Sequence, residues 1–283
     1  MRYGCARRAC LTGRTIHMRI LSLFAALILS FPNVAASQHA SSPTAPSPRR
    51  DPQALAVLQS SVAAMGNTLP ADSTATGNVT ITAGSETSQG TVRILTRGTN
   101  QTSIQFQTTN VNWSVIYSSG QASRVDTTGT SVLPMELAAS SQCLYFPLPF
   151  LSGLLNNSDF SLQYVGQESL DSSQANHIRV QNTYASSPSL QFLSDFTTAD
   201  IWLHASTALP VRISSTRRSG GGSSPKIPIS VSYSNYQKVS GVQYPFTVQE
   251  YFTGTLWAIT SIQSVTFNSG LTDANFPITL DGN

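Results

Sequence analysis

Reactive side chains are sparse in this chain of 283 residues, and they do not cluster along it. His177 and His204 lie in two separate runs of alternating residues, while His39 lies in a segment rich in serine and proline. Metal sites need His, Cys or carboxylate side chains at short, regular spacing, and the sequence lacks such spacing. It therefore predicts no metal site, no cofactor and no catalytic residue.

Candidate nucleophiles give the same result. No serine stands in the G-x-S-x-G motif that exposes a nucleophile in one large class of hydrolases. Cys143, within "SSQCLYFPLPF", has the surroundings of a small buried apolar residue rather than of a nucleophile. A catalytic triad assembled from distant segments remains a minor alternative. We expect the protein not to be an enzyme.

The carboxylates are also dispersed. Asp195 and Asp200 flank the start of a predicted strand, and Asp159, Glu168 and Asp171 flank a predicted hairpin. Acidic residues at such places commonly form turns and the rims of sheets. A glycosidase needs two facing carboxyl groups, and no pair stands out here.

The first 36 residues have the layout of a secretory signal peptide. A short basic start at Met18 precedes an apolar run over residues 20–31, and small residues follow. The run is shorter than the ~20 residues of a membrane-spanning helix. We expect cleavage after Ala36 or Ser37, with Met18 as the favoured initiator. The mature protein would be periplasmic or secreted, or membrane-tethered if the leader stays uncleaved.

Removal of residues 1–36 changes the charge balance. Five of the 16 basic residues and none of the 13 acidic ones lie there, so the remaining chain is near −2. No basic patch is left that would favour nucleic acid as a partner. Residues 37–50 are rich in Ser, Pro and Ala, which predicts a disordered tether. Residues 51–283 are expected to form a single domain.

Residues 51–66 predict an amphipathic helix that packs on a sheet. Asp51 is a candidate N-cap, Pro52 suits the first helical position, and Gly66 suits the end. The apolar positions recur at spacings of three and four: Leu55, Leu58, Val62 and Met65.

Beyond the helix the period changes to two, which is the period of a half-buried strand. The runs include "GTVRILTRG", "TSIQFQTT" and "ADIWLHAS", and most are separated by Gly, Asn, Ser or Pro. Alternation predicts antiparallel strands with one wet and one covered face, in a mainly β (α+β) fold of about 11–12 strands. Residues 241–267 hold one charged residue, Glu250, so this part of the sheet offers a surface rather than reactive groups. The sequence does not decide whether the odd-numbered or the even-numbered residues of a strand face inward, because a β-bulge would exchange the two faces.

One segment, residues 133–157, is strongly apolar but does not alternate. Its prolines exclude a long regular helix and a central strand, which leaves two short helices near 134–141 and 148–156. These apolar side chains either plug one mouth of a curved sheet as ordinary core or form a lid over an apolar cavity. The sequence gives the two interpretations equal weight.

Three motifs, in this order, resemble the LolA/LolB-like superfamily of periplasmic lipoprotein carriers and related sensor domains. "LHASTALPVRI" is similar to that family's strand, turn and "t-x-LP" step, and "YSNYQKVSGVQYPFTV" to its "y-x-x-Y-x-x-v-x-G-v-x-x-P" element. "FNSGLTDANF" is similar to its closing "N-x-x-l-x-d-x-x-F". The resemblance covers residues 52–276, with Ser119-Gly120 standing where the carriers have an Asp-Gly turn.

The resemblance implies a half-closed antiparallel β-barrel with an N-terminal helix and short lid helices across its mouth. In the carriers the concave face holds acyl chains, and "FPLPFLSGLL" matches their lid segment. Arg97 falls near the position of an arginine that helps to close the lid, with an offset of one residue. The candidates for ligand binding are Leu144, Phe146, Leu148, Phe150, Leu151, Leu154, Leu155, Arg97, Trp113, Phe246 and Phe252.

Two function hypotheses follow. The first is an exported, monomeric, non-enzymatic domain that binds a lipid, an acylated protein or another apolar ligand in a concave cavity, as a carrier or envelope sensor. The second is a structural or protein-binding envelope module whose barrel is filled by its own side chains. A hydrolase acting on envelope material is a minor third.

Overall fold

A computed structural model describes residues 48–110, 112–140, 144–171, 173–218 and 225–278. The predicted signal peptide, His39, Cys143 and the predicted tether up to residue 47 lie outside these ranges. The last residues of that tether segment are described and lie against the sheet: the backbone carbonyl of Arg49 accepts a hydrogen bond from Leu162 N at 2.8 Å. No helix within the described ranges is long and apolar enough to cross a membrane.

Helix α1, Pro52–Ala64, forms where the sequence predicts it. The side chain of Asp51 accepts a hydrogen bond from the backbone N–H of Gln53 at 2.8 Å, which satisfies one of the free donors of the first turn. Leu58 and Met65 have no solvent exposure and belong to the main core. The apolar face of α1 is therefore turned inward, as its spacing of three and four requires.

Thirteen strands form one antiparallel sheet in the described part of the chain. They are β1 (Asp72–Ala83), β2 (Glu86–Arg97), β3 (Gln101–Thr108), β4 (Asn112–Ser118), β5 (Gln121–Asp126), β6 (Gly129–Val132), β7 (Phe160–Leu170), β8 (Ser173–Asn182), β9 (Ala199–His204), β10 (Pro210–Arg218), β11 (Lys226–Val239), β12 (Val242–Phe252) and β13 (Thr255–Phe267).

The spatial order of the strands is β6-β5-β4-β3-β2-β1-β13-β12-β11-β10-β9-β8-β7. Two meanders thus meet where β1 pairs with β13, and the outermost strands β6 and β7 do not pair with each other. This confirms the predicted mainly β, half-closed antiparallel architecture. Strands β5 and β6 are not among the runs that the sequence predicts, because both are short and mostly polar.

Two glycines allow neighbouring strands to approach closely. A Cβ atom at Gly77 would overlap the carbonyl oxygen of Ser261, and one at Gly90 would overlap that of Gln107. Gly77 also stands at a register irregularity between β1 and β13. Irregularities of this kind bend a strand and increase its twist. Gly77 therefore lies where the joint between the two meanders curves, while Gly90 allows close approach of β2 and β3 within the first meander.

Two short helices follow β6, as predicted: α2 (Met135–Ser140) and α3 (Pro147–Asn156). Pro147 occupies the first turn of α3, where its missing N–H costs no hydrogen bond. At the other end, the guanidinium of Arg50 donates to the carbonyl oxygens of Leu154, Leu155 and Asn157 at 2.9, 3.1 and 2.6 Å. A cation at this end also complements the helix dipole.

Helix α3 packs against α1 and fills one part of the concave face. Leu148, Leu151 and Leu154 have no solvent exposure. The ring of Phe146, just before the helix, stacks on Tyr244 of β12 with centroids 4.6 Å apart. This half of the barrel is therefore closed by side chains of the chain itself.

The C-terminal segment, residues 268–278, covers part of the opposite face of the sheet. Phe276 packs there with Leu95 and Ile116. Asp72, at the start of β1, holds this segment by accepting hydrogen bonds from the backbone N–H groups of Ser269, Gly270 and Leu271 at 2.7, 3.0 and 3.1 Å. Burial raises the pKa of Asp72, but these bonds and that from the Ser269 hydroxyl outweigh it, and the net pKa is lowered.

We predict that Asp72→Asn loosens this segment, because an amide cannot accept as many strong hydrogen bonds as a carboxylate. Hydrogen bonds to charged groups contribute about 1.5–3 kcal/mol. We expect the amides of residues 269–271 to exchange with deuterium at least tenfold faster than in the native protein. Glu86→Gln, which removes an exposed carboxylate, is the control. Unchanged exchange in Asp72→Asn would contradict the assigned role.

Candidate functional site

A cavity of about 530 Å³, partly open to solvent, occupies the part of the concave face that α3 does not fill. Side chains of β3, β4, β5, β10, β11, β12 and β13 line it, together with Leu137 of α2 and Leu133 and Leu144 on either side of that helix. Helix α2 itself packs against β5 and β10. The cavity thus lies between the two meanders, with α2 beside it.

Aromatic side chains form much of the lining. Trp113 and Trp257 stack with centroids 6.4 Å apart, and Phe252 meets Trp257 edge to face at 5.3 Å. Phe106, in the core behind them, packs on Trp113 at 4.7 Å. Contacts of this geometry add to the energy of burial and hold large rings in place. The lining is therefore both apolar and well ordered.

A β-bulge determines which residues of the last hairpin face this cavity. In β12 the even positions Val248, Glu250 and Phe252 face inward. The pairing of β12 with β13 shifts register after Glu250, and Trp257 reaches the cavity although its neighbour Ala258 is buried in the core. The bulge resolves the parity that the sequence leaves open.

The apolar lining is interrupted by one polar cluster made of Glu250, Tyr145 and Arg217. Glu250 is 6% exposed, and its Oε2 accepts a hydrogen bond from the Tyr145 hydroxyl at 2.8 Å. The guanidinium of Arg217 lies 5.8 Å from the ring centroid of Phe252. Burial raises the pKa of Glu250, while the nearby charge of Arg217 and the hydrogen bond from Tyr145 act in the opposite direction.

A second arginine, Arg124, also lines the cavity, and it has an acidic partner. Arg124 lies over the ring of Trp113, 5.4 Å from its centroid, and its Nε is 3.1 Å from the Oδ2 of Asp126. Asp126 therefore balances the charge of Arg124. The charge of Arg217, by contrast, acts on the buried carboxyl group of Glu250.

The sequence-predicted site residues divide into three groups. Leu144, Trp113 and Phe252 line the cavity. Seven others belong to the packed core or contact it, and they do not line the cavity: Phe146, Leu148, Phe150, Leu151, Leu154, Leu155 and Phe246.

Arg97 is the exception, because it lies on the other face of the sheet. Its guanidinium donates to Asp273 Oδ1 and to Gln101 Oε1, both at 2.7 Å. Asp273 belongs to the C-terminal segment described above. The structure does not bring Arg97 to the cavity or to α3.

Sequence reasoning missed the polar cluster. Glu250 is the one charged residue of residues 241–267, and it shares the parity of Val248 and Phe252, so a weak signal existed. The sequence carries no such signal for Arg217, because Arg217 and Arg218 together predict a charged loop tip. Their proximity depends on the pairing of three strands.

The two histidines that the structure describes, His177 and His204, lie away from the cavity. His177 stacks on Trp202 at 4.5 Å, and its ring nitrogens lie 2.7 Å from Glu168 Oε1 and Asp200 Oδ1. Its neighbour Ile178 belongs to the core, so this network occupies the opposite face. His204 accepts hydrogen bonds from backbone N–H groups of the turn after β9. No cluster of three His, Cys, Asp or Glu side chains within the described ranges is suited to a metal ion.

Comparisons with known proteins identify the fold. No protein-family model matches the chain, and no curated protein matches it in sequence. Among solved structures, it is similar to a domain named for outer membrane lipoprotein sorting from Vibrio parahaemolyticus, with a TM-score of 0.56 and 13% identity over 79% of this chain and 96% of that chain.

Two further solved structures agree with it. They are a DUF1329 family protein from Desulfovibrio piger (TM-score 0.55, 12% identity, 79% of this chain and 97% of that one) and a LolA superfamily protein from Nitrosomonas europaea (0.52, 12%, 80% and 97%). At such identities the likeness concerns the fold alone. It confirms the resemblance to the LolA superfamily at that level.

The raised pKa of Glu250 generates a prediction about stability. The folded protein holds this proton more tightly than the unfolded chain, so stability is lost as pH rises through the folded-state pKa. Glu250→Gln cannot ionise. Its stability relative to the native protein should therefore rise as pH is raised from about 4, near the ordinary pKa of Glu, to about 8. Denaturant titrations of ligand-free protein across this range measure the difference, and a difference that stays flat or falls would contradict it.

Proposed function

We propose that this domain binds a lipid or another ligand with an acyl chain in the cavity between its two meanders, as a carrier or an envelope sensor. The observation that carries the proposal is the cavity itself, which has a volume of about 530 Å³ and a lining dominated by aromatic and aliphatic side chains. Ligand sites in proteins commonly measure about 300–1,000 Å³ and are lined in this way.

The binding energy would come from burial of the chain. An acyl chain gains about 0.8 kcal/mol for each methylene removed from water. The fixed positions of Trp113, Trp257 and Phe252 reduce the ordering cost of binding, because these rings already contact one another in the free protein.

We propose a role without catalysis. The titratable side chains that line the cavity are Tyr117, Arg124, Tyr145, Arg217 and Glu250. Acyl transfer or hydrolysis needs a nucleophile activated by a positioned base, and neither His nor Cys is among the lining residues. A single buried carboxyl group fits a polar anchor for a ligand better than it fits an acid–base pair.

We further propose that residues 51–283 act as one exported domain and as a monomer, behind a signal peptide over residues 1–36 and a tether that begins at residue 37. The last two residues of the predicted tether, Arg49 and Arg50, contact the domain. The apolar run in residues 20–31 supports export. The fold shared with a domain named for outer membrane lipoprotein sorting supports a lipid, a lipoprotein or an envelope protein as the partner.

A second candidate is a protein-binding module with a filled barrel. The observation in its favour is α3, whose leucines close one half of the concave face completely. Under this hypothesis the cavity would take up no apolar ligand in solution.

Uptake of a hydrophobic fluorescent probe separates the two candidates. We predict that the native protein binds such a probe with micromolar affinity, and that Ser215→Trp weakens binding at least tenfold because the indole would fill the cavity. Ser214→Trp places the same side chain on the other face of β10 and should bind like the native protein. Folding of each variant is checked by thermal melting.

Absence of probe uptake by the native protein would favour the filled barrel and overturn the lipid-binding proposal. Equal loss of uptake in both tryptophan variants, with both folded, would show that the probe binds elsewhere.

A further inference from the structure

The polar cluster of the cavity has unused hydrogen-bonding capacity. The Nε of Arg217 is buried and has no hydrogen-bond partner among the described residues. In the same set of residues, Tyr145 is the one donor to Glu250, and it uses Oε2. Buried polar atoms are normally paired, and an unpaired one destabilises the folded state. The cluster therefore lacks partners that a ligand could supply.

A purely apolar ligand could not supply the missing hydrogen-bond partners. It would cover the cluster and exclude water, so the buried Nε of Arg217 would stay without a partner and Glu250 would gain no hydrogen bond beyond that from Tyr145. A ligand with a polar end in the cluster and a chain along the aromatic lining would satisfy both parts of the cavity. The cavity therefore favours an amphiphile over a hydrocarbon.

The charges indicate which polar end fits. Arg217 presents an N–H group and a permanent positive charge, so it prefers a carboxylate or a similar anion. Asp126 already balances Arg124, the other cation of the lining. Next to Glu250, a ligand carboxylate would meet a carboxyl group whose burial favours the protonated form. Two carboxyl groups can share one proton at short distance, as paired acids do in other proteins.

We propose that the cluster of Glu250, Tyr145 and Arg217 selects a single acyl chain that ends in a free carboxylic acid. This inference rests on the proposed lipid-binding function and specifies its ligand class. In the complex, the ligand carboxylate accepts a hydrogen bond from Arg217 Nε, and one proton is shared between the ligand and Glu250. The guanidinium and the single remaining negative charge of the two carboxyl groups then balance.

This arrangement makes binding depend on pH. Where Glu250 is ionised in the free protein, binding takes up one proton from solvent, so affinity rises as pH falls until Glu250 is protonated in the free protein as well. The other titratable or charged groups facing Glu250 across the cavity are Arg217 on β10, Arg124 on β5, Tyr117 on β4 and Tyr145 before α3. Strands β11 and β13 contribute only apolar lining: Ile229, Val231 and Trp257.

The experiment compares dodecanoate with methyl dodecanoate by displacement of the bound probe. We expect the native protein to bind the acid at least tenfold more tightly than the ester at about pH 6.5. Arg217→Gln should lose about tenfold in affinity for the acid and keep its affinity for the ester, which also shows that the cavity is intact. Arg93→Gln removes the same charge from an exposed position outside the cavity and should keep the preference.

Glu250→Gln provides the second test. The amide cannot repel the ligand carboxylate, so this variant should bind dodecanoate at about pH 8 at least as tightly as the native protein does, and its affinity should not change down to about pH 6. Equal binding of acid and ester by the native protein, or an unchanged preference in Arg217→Gln, would overturn the inference while leaving lipid binding in place. Binding of neither compound by the native protein would overturn the proposed function as well.

Discussion

The pairing of β1 with β13 is the contact on which the cavity depends. Its ladder runs from Ser73 opposite Phe267 to Ile81 opposite Ala258, and it joins the start of the folded domain to its end. Without it, β1–β6 and β7–β13 would be two separate meanders, each with two exposed edges. Because the ladder fixes both meanders in one curved sheet, Trp113 on one side comes to face Phe252 and Glu250 on the other.

The concave face produced by this pairing is used in two ways. Helices α1 and α3 close one part with leucines that have no solvent exposure. In the other part, the buried carboxyl group of Glu250 and the guanidinium of Arg217 interrupt the apolar surface, and aliphatic side chains filling this space would leave the buried Nε of Arg217 without a partner. In the function proposed above, the same two groups select the ligand. One part of the concave face is thus filled by the chain's own side chains, and the other part holds the cavity.

Local sequence signals predicted the elements well. The cap at Asp51 and the spacing of Leu58, Val62 and Met65 define α1, and proline positions define the two short helices near their observed bounds. Alternation found the long strands, since each has one face in the core. It did not identify β5 and β6, because these two strands are short and mostly polar and so carry no such signal. The motifs similar to the LolA family were individually weak, yet their order indicated the fold that the solved structures confirm.

The site was less accessible to sequence reasoning, because it is formed by strand parity and by non-local pairing. Whether Arg97 faced the cavity depended on the parity of β2, and its partner proved to be Asp273 at the far end of the chain. Leu148, Leu151 and Leu154 of α3 are fully buried, but burial alone does not distinguish a plug from a ligand-binding surface. Trp257 reaches the cavity through a bulge. Glu250 and Arg217 meet across β12, β11 and β10, a relation that no local pattern contains.

Native mass spectrometry tests the proposed ligand binding most directly. The mature protein is purified without detergent from the cells that make it, its intact mass is measured, and the sample is then extracted with organic solvent. A lipid bound at one molecule per protein, released by extraction and identified as an acyl chain with a free carboxyl group, is the predicted result. A mass equal to that of the bare polypeptide, together with no uptake of added fatty acid, would contradict the account and direct attention to protein partners.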